Sequence, residues 1–120
     1  MDFNLTEDQR AIQDMARSFA EAELAPHSAR WDEEKHYPVE EMRAAAALGF
    51  GGIYTQEEHG GSALGRLDAA IIFEELARGD VSTAAFISIH NMATWMIDRY
   101  GSAELRAKYV PRLTTMELIA

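Results

Sequence analysis

The segment from Asp80 to Tyr100 constrains the fold most, because it predicts one long helix that is apolar around most of its circumference. Its polar residues crowd into one narrow sector, which consists of Thr83, His90, Asn91, Thr94 and Asp98. A helix that is hydrophobic nearly all round is normally buried rather than laid on a surface. We therefore expect this helix to be buried.

One side of this predicted helix carries mostly small side chains. It is formed by Ala84, Ala85, Ser88, Ile89 and Met92. These residues are related by spacings of three to five, and residues at such spacings lie on one side of a helix. Small side chains on one side of a buried helix either allow a neighbouring backbone to pack closely or border a cavity. The spacing alone leaves that choice open.

The first part of the chain predicts two helices with an irregular segment between them. Residues 6–9, Thr-Glu-Asp-Gln, have the pattern of a capping box at a helix N-terminus, and Pro26 must kink or end that helix. The buried stripe of this helix is predicted to be Ile12, Met15, Ala16, Phe19 and Ala20. Residues 27–37 are polar and predicted to be irregular, anchored by Trp31, before a second helix from Pro38 to Gly49.

Three further helices are predicted after a glycine-rich connection at residues 50–65. The glycines at positions 49, 51, 52, 60 and 61 are interpreted as turn residues that supply positive φ. The helices span residues 66–78, 80–100 and 103–113, and no alternation typical of strands appears. The sequence thus predicts an all-α fold, an orthogonal or up-down bundle of about five to six helices, with residues 1–120 forming a single domain.

The composition argues against several classes of function. The formal charge of −9 argues against nucleic acid, whose phosphates need a basic surface, and against an anionic membrane. The chain has no cysteine, so it has neither a disulfide framework nor a thiolate metal site. No apolar run approaches the roughly 20 residues of a membrane-spanning helix, and no secretory signal is visible. We therefore predict a cytoplasmic protein without nucleic-acid or membrane partners.

No group of residues by itself predicts a catalytic or metal site. The four histidines lack the spacing of zinc ligands, so no metal is expected. Glu57-Glu58 and Glu74-Glu75 invite an acid–base interpretation, but adjacent residues point to different sides of a helix or lie in solvent. His90 and Asn91 are interpreted as polar side chains satisfied by neighbouring backbone groups. The basic residues at positions 106, 108 and 112 are interpreted as the outer side of the last helix.

Seven short motifs nevertheless occur together in a characteristic order. They are LTEDQR (5–10), AP (25–26), WDEE (31–34), LGFGGI (48–53), GG (60–61), EELARG (74–79) and YVPRL (109–113). Over essentially its whole length the chain resembles the N-terminal α-helical domain of flavin-dependent acyl-CoA dehydrogenases. Residues 88–98 are similar to the isobutyryl-CoA dehydrogenases, a short branched-chain group. Gln56 and Ala63 depart from the common pattern, where a proline and a third glycine are usual.

The resemblance implies a three-domain enzyme, of which this chain is the N-terminal part, followed by a β-domain and a C-terminal helical domain. The apolar residues 118–120 also lead us to expect a further domain. Such enzymes hold FAD and oxidise an acyl-CoA to its 2-enoyl-CoA, and an electron-transfer flavoprotein reoxidises the flavin. The resemblance also implies a homotetramer or dimer. The catalytic base and the flavin-contacting segment lie elsewhere in such enzymes, so this chain alone is expected to be inactive and to bind no FAD.

The resemblance also assigns the small side of the predicted helix a role. By register, the positions that line the acyl chain fall on Ala84, Ala85, Ser88 and Met92, with Ile89 nearby. We expect these residues to bind substrate, and no catalytic, cofactor-binding or metal-binding residue is expected in this chain. Two alternatives stay open: a non-enzymatic helical module that binds another protein, and a related flavoprotein such as an acyl-CoA oxidase or a flavin monooxygenase.

Overall fold

The computed structural model describes residues 1–120 and contains six α-helices and no strand. The helices are α1 (Glu7–Phe19), α2 (Ser28–Glu34), α3 (Val39–Ala47), α4 (Arg66–Gly79), α5 (Val81–Tyr100) and α6 (Ala103–Thr114). A π-helical turn, Ala20–Leu24, extends α1, and a 3₁₀ turn, Glu57–His59, lies in the connection between α3 and α4. The predicted all-α class and the number of helices are confirmed.

Helix α1 begins as its sequence predicts. The Gln9 backbone amide donates to the Thr6 hydroxyl at 3.1 Å, and the Thr6 amide donates to the Gln9 side-chain oxygen at 3.0 Å. These two bonds satisfy amides that have no partner inside the helix. Of the predicted stripe, Ala16 and Phe19 are buried, whereas Met15 is 39% exposed and lies outside the core.

The segment predicted to be irregular contains a short helix, α2, so that prediction is wrong for residues 28–34. Trp31 does anchor the segment, as predicted, because its side chain is buried in the core. Its ring lies 5.3 Å from the His27 ring and 6.0 Å from the His36 ring. One buried aromatic side chain therefore anchors a helix whose remaining residues are exposed or half-buried. Lys35, in the left-handed region at φ 54°, ends it.

The helices form a slab of 42 × 41 × 20 Å in which α1 packs on α4, α4 on α5 and α5 on α6. The core lies between these helices and also takes in apolar residues of the connection between α3 and α4. Its largest fully buried apolar side chains are Leu24, Met42, Phe50, Ile53, Ile72, Leu76, Ile87, Val110 and Met116. None of the six helices combines the length and the apolar character needed to cross a bilayer.

The glycines of the α3–α4 region serve two different purposes. Gly49 and Gly60 have φ values of 94° and 100°, as expected of turn glycines. Gly51, Gly52 and Gly61 do not have positive φ, so that part of the prediction is wrong for them. A Cβ at Gly61 would overlap the Thr55 carbonyl, and one at Gly51 would overlap the Thr114 carbonyl. These two glycines let backbone segments approach each other closely.

Helix α5 has its polar side inward, so the prediction that it is buried around most of its circumference is wrong. All five residues of the polar sector, Thr83, His90, Asn91, Thr94 and Asp98, are buried. The large apolar residues that are exposed are Val81, Ile89, Met92, Met96 and Tyr100, at 50–73% of their surface. The slab covers one side of α5 and leaves the other free. We call the free side the outward face of α5.

Candidate functional site

Asn91 shows why the inward side of α5 is polar. Its side-chain oxygen accepts a hydrogen bond from the Ile53 amide at 2.7 Å, and its side-chain nitrogen donates to the Phe50 carbonyl at 2.8 Å and the Ile87 carbonyl at 2.9 Å. A buried connection without regular structure needs partners for its backbone groups. Asn91 supplies them, so its predicted role is confirmed.

His90 joins α5 to the end of α6 and to the segment that follows it. Its Nδ1 accepts a hydrogen bond from the Ala120 amide at 3.1 Å, so its Nε2 carries the proton and donates to the Leu113 carbonyl at 2.8 Å. Burial lowers the pKa of His90, and hydrogen bonding to the backbone of Leu113 and Gly51 opposes this shift. The ring is thus a neutral structural link, which confirms its interpretation as a satisfied buried side chain.

Asp98 completes the inward side near the C-terminal end of α5. It accepts a hydrogen bond from the Gln56 amide at 3.2 Å and one from the Arg106 guanidinium at 3.2 Å. Arg106 also contacts Glu58 at 2.7 Å, and both carboxylates raise the pKa of Arg106. The prediction that the basic residues of α6 lie on its outer side is therefore wrong for Arg106, which is turned toward α5.

The five candidate residues divide between the two sides of α5. Ala84 is buried in the core, at 6% exposure, and packs within the domain. Ala85 is exposed, Ile89 and Met92 are 53% and 50% exposed, and Ser88 is half-buried with its hydroxyl donating to the Ala85 carbonyl at 2.8 Å. Four of the five thus share the outward face. Their role in binding substrate stays a prediction.

The outward face is longer than the predicted site. Val81 at its N-terminal end and Met96 and Tyr100 at its C-terminal end are 70%, 52% and 73% exposed. They continue the apolar surface of Ile89 and Met92 along the full helix. Solvent-exposed apolar surface of this extent marks a binding surface. The face has no carboxylate, histidine or thiol among these residues, and its surface suits an apolar group.

A groove of about 700 Å³ adjoins the N-terminal end of this face. It runs between the α2–α3 connection and the first turns of α5, and the Tyr37 and Phe86 rings meet in it edge to face at 4.7 Å. Its lining residues are Ala25, Ser28, Ala29, Trp31, Asp32, Lys35, His36, Tyr37, Pro38, Asp80, Val81, Ser82 and Phe86. Val81 belongs to both the groove and the outward face, which makes the two surfaces continuous.

One member of each acidic pair singled out in the sequence, Glu75 and Glu58, forms ion pairs with arginines. Glu75 is buried and accepts hydrogen bonds from Arg17 at 3.0 and 2.9 Å, which lowers its pKa although burial opposes the shift. Arg78 adds a weaker contact at 3.5 Å. Glu74 is exposed, so the two neighbours do point to different sides as expected. A carboxylate held ionised by two arginines ties α1 to α4 and is a poor proton donor.

One cluster beside the outward face could not be predicted from the sequence. The Arg66 guanidinium lies over the Tyr54 ring, 3.9 Å from its centroid, and over the Trp95 ring, 4.7 Å from its centroid. Burial raises the pKa of the Tyr54 hydroxyl, and the charge of Arg66 opposes this shift. These three residues come from different parts of the chain, and no spacing rule connects them.

The chain matches the family model described as acyl-CoA dehydrogenase, N-terminal domain, over residues 6–117. It is 56% identical over 116 residues to a protein of Dictyostelium discoideum named isobutyryl-CoA dehydrogenase, mitochondrial. That match covers 97% of this chain and 28% of the relative. The chain thus spans little more than a quarter of the length of this relative.

Two solved structures have the same fold. A glutaryl-coenzyme A dehydrogenase in complex with glutaryl-CoA is 36% identical, with a TM-score of 0.94 over 100% of this chain and 31% of that chain. An FAD complex of PigA is 34% identical, with a TM-score of 0.92 over 99% of this chain and 32% of that chain. With a family match over nearly every residue, this chain belongs to the acyl-CoA dehydrogenase N-terminal domain family.

Proposed function

We propose that this chain is the N-terminal helical domain of a longer, FAD-dependent acyl-CoA dehydrogenase and that the outward face of α5 forms part of the wall of its acyl pocket. The family match and the coverage of 28% of the Dictyostelium relative support the first statement. The observation that carries the second is the reversed polarity of α5. Its polar side chains hold the domain together, and its apolar side chains face outward.

The substrate class follows from the relatives and from the size of the side chains. The Dictyostelium relative is named for a short branched acyl group, and we propose a short or branched-chain acyl-CoA, oxidised to its 2-enoyl-CoA. Ala85 and Ser88 leave space on the helix, while Ile89 and Met92 give the space apolar walls. Each substrate methylene buried there contributes about 0.8 kcal/mol. Side-chain volume on this face would then set the chain length that fits.

FAD supplies the redox chemistry in such an enzyme when it is bound. The side chains proposed to line the acyl group, those of Ala85, Ser88, Ile89 and Met92, are uncharged and suit hydrocarbon. These four residues do not fit the flavin or its phosphates, and we propose that FAD is held by the other domains. The role of this chain is to orient the acyl group and to keep water from it. No residue of the chain is proposed as the catalytic base.

The partners and the location of the protein are likewise proposals. We propose that a β-domain and a C-terminal helical domain cover the outward face, that an electron-transfer flavoprotein accepts the electrons, and that the longer enzyme forms a tetramer or dimer. The predicted cytoplasmic location stays a prediction. The Dictyostelium relative carries the word mitochondrial in its name, which favours a mitochondrial location for that protein.

The test replaces Ser88 in the enzyme translated from the reading frame that contains this chain. Ser88→Leu should lower kcat/KM for a six-carbon acyl-CoA about tenfold more than for a four-carbon acyl-CoA, because one added side chain shortens the pocket. Ser18→Leu, at an exposed position on α1, is the matched control and should change both values equally. An equal loss at both chain lengths for Ser88→Leu would mean that Ser88 contacts protein rather than substrate.

A second measurement separates an enzyme from a non-enzymatic module. The longer protein should purify yellow with bound FAD and reduce an artificial electron acceptor when an acyl-CoA is added. A colourless protein that binds no FAD and oxidises no acyl-CoA would contradict the proposal. The apolar outward face would then be a surface for another protein.

A further inference from the structure

Arg66 is an arginine without an acidic partner in a strongly acidic chain. The sequence contains 20 acidic and 11 basic residues, and the ion pairs engage Arg17, Arg43, Arg78, Arg106 and Arg112. Arg66 belongs to none of them. Asp68, the acid nearest to it in sequence, accepts a hydrogen bond from the Gly65 amide at 2.8 Å and so caps α4. No carboxylate of this chain therefore pairs with Arg66.

Two aromatic rings fix the position of this charge. Tyr54 and Trp95 are both half-buried, whereas Arg66 itself is exposed. The guanidinium lies over both rings, at 3.9 and 4.7 Å. Stacking on aromatic faces restrains the plane of a guanidinium and leaves its N–H edge free for hydrogen bonds. A free edge of this kind matches the two oxygens of a carboxylate or a phosphate.

The position of Trp95 connects this charge with the outward face of α5. Trp95 lies three residues beyond Met92 and seven beyond Ser88, so the ring is one helical turn from Met92 and about 10 Å along the axis from Ser88. Residues three and seven apart share a side of a helix. A molecule that bound Arg66 through an oxyanion could therefore lay an apolar tail against Met92 and its neighbours.

We propose that Arg66, Tyr54 and Trp95 form a binding site for an oxyanion, a carboxylate or a phosphate, that carries an apolar tail along the outward face of α5. The oxyanion accepts hydrogen bonds from the N–H edge of Arg66. The use of the outward face by the tail rests on the proposed function, whereas the anion site rests on the contacts of Arg66 alone. The site binds its ligand without a chemical step.

The experiment uses the 120-residue chain and the indole N–H signals of its two tryptophans in a ¹⁵N–¹H spectrum. Trp95→Phe identifies the signal of Trp95. Hexanoate, hexyl phosphate, hexanol, acetate and inorganic phosphate are titrated separately at constant ionic strength. We expect saturable shifts of the Trp95 signal with hexanoate or hexyl phosphate, and the stronger of the two identifies the oxyanion. Weaker shifts are expected with acetate and phosphate, which lack the tail.

The variants separate a specific site from a general effect of charge. Arg66→Gln should weaken the binding of the tailed anion about three- to fivefold, the range expected of one exposed charged contact. Arg30→Gln removes the same charge from an exposed residue of α2, away from Trp95, that makes no ion pair, and it should change binding less than twofold. Arg66→Lys keeps the charge but lacks the planar fork, so its binding should fall between the two.

Three results would overturn the proposal. Equal losses of affinity in Arg66→Gln and Arg30→Gln would mean that only the net charge of the chain matters. Equal shifts with hexanol and hexanoate would show that only the apolar face binds. If acetate binds as tightly as hexanoate, the anion site stands but the tail does not use α5, and the proposal in its full form fails. Each variant is used only if its spectrum shows the same dispersion of signals as the parent chain, which means that it is folded. These results do not depend on whether a longer enzyme oxidises an acyl-CoA, so the two proposals can fail separately.

Discussion

The Asn91 side chain accepts a hydrogen bond from the Ile53 amide at 2.7 Å, so the middle of α5 holds the backbone of the α3–α4 connection in place. The same side chain donates to the Phe50 carbonyl. Both backbone groups are buried, and a buried group without a partner costs about 1–3 kcal/mol. Asn91 is thus a main determinant of the stability of this connection.

Asn91→Leu should lower the free energy of unfolding by about 2–4 kcal/mol, because it leaves the Ile53 amide and the Phe50 carbonyl without partners. Urea denaturation at pH 7 measures the change. Met92→Leu, one residue further on the outward face, is the control and should stay within about 0.5 kcal/mol of the parent chain. Equal effects of the two substitutions would contradict the assignment of Asn91.

Glu75→Gln should destabilise the chain at pH 7 by about 1–2 kcal/mol, because it removes charged hydrogen bonds to Arg17. The pKa of Glu75 is lowered in the folded state. Its contribution is therefore present above the unfolded pKa of about 4.3 and is lost as the pH falls through the lower folded pKa. The difference between the parent chain and the variant should shrink below that pH.

Denaturation at a series of pH values between 7 and 3 checks this prediction. Glu74→Gln is the matched control, since Glu74 is exposed and makes no ion pair. It should show neither the loss at pH 7 nor the change with pH. A difference between the parent chain and Glu75→Gln that stayed constant down to pH 3 would mean that the carboxylate charge contributes nothing.

His90→Gln should make the stability of the chain less dependent on pH between 7 and 5. Burial lowers the pKa of His90, so the unfolded chain takes up a proton at a higher pH than the folded chain. The parent chain should accordingly lose stability as the pH falls below the unfolded value of about 6.5 and continue to lose it down to the folded pKa. Glutamine does not titrate, so the variant lacks this loss.

Thermal unfolding followed by circular dichroism at pH 7, 6 and 5 gives the comparison for His90. The parent chain should lose more of its Tm than the variant over this range. His36→Gln removes an exposed histidine and serves as the control for the loss of one imidazole. If His90→Gln retained the full pH dependence of the parent chain, the neutral buried ring would not be its source.

Gly61→Ala should destabilise the chain by about 1–3 kcal/mol, because the new methyl group would overlap the Thr55 carbonyl. At Gly65 the nearest atom to an added Cβ is the Asp68 side-chain oxygen at 3.4 Å. Gly65→Ala should therefore stay within about 0.5 kcal/mol of the parent chain. Urea denaturation of both variants measures the difference, and similar midpoints would mean that the close approach at Gly61 is not required.

The boundaries of the helices followed closely from local signals. Thr6 and Asp80 accept hydrogen bonds from amides in the first turns of α1 and α5. Gly49 and Gly101 follow the last residues of α3 and α5, so these ends depend on neighbouring residues of the chain. The short helix α2 was not predicted from the sequence, because its formation depends on the burial of Trp31 by residues distant in the chain. Without that contact, residues 28–34 have the composition of a solvated segment.

The orientation of α5 could not be predicted because periodicity reports how polarity is distributed, not which side is covered. Asn91 and Asp98 point inward since the α3–α4 connection offers them backbone amides, and that connection is recognised only once the fold is known. The candidate positions Ser88 and Met92 came from spacing and from the family resemblance. Met92 is exposed and Ser88 half-buried, whereas Ala84 lies in the core, and the role of these residues in binding substrate stays a prediction. The Arg66 cluster joins residues from three separate parts of the chain, so it is recognised only in the folded structure.

The slab is only 20 Å thick, so α5 is covered on one side and free on the other. On α5 the residues that secure folding point one way and those available to a ligand point the other. Substitutions at positions 85, 88, 89 and 92 can therefore change which ligand the surface binds without destabilising the fold. In such a domain a single substitution on the free side of one helix can alter the specificity for a ligand.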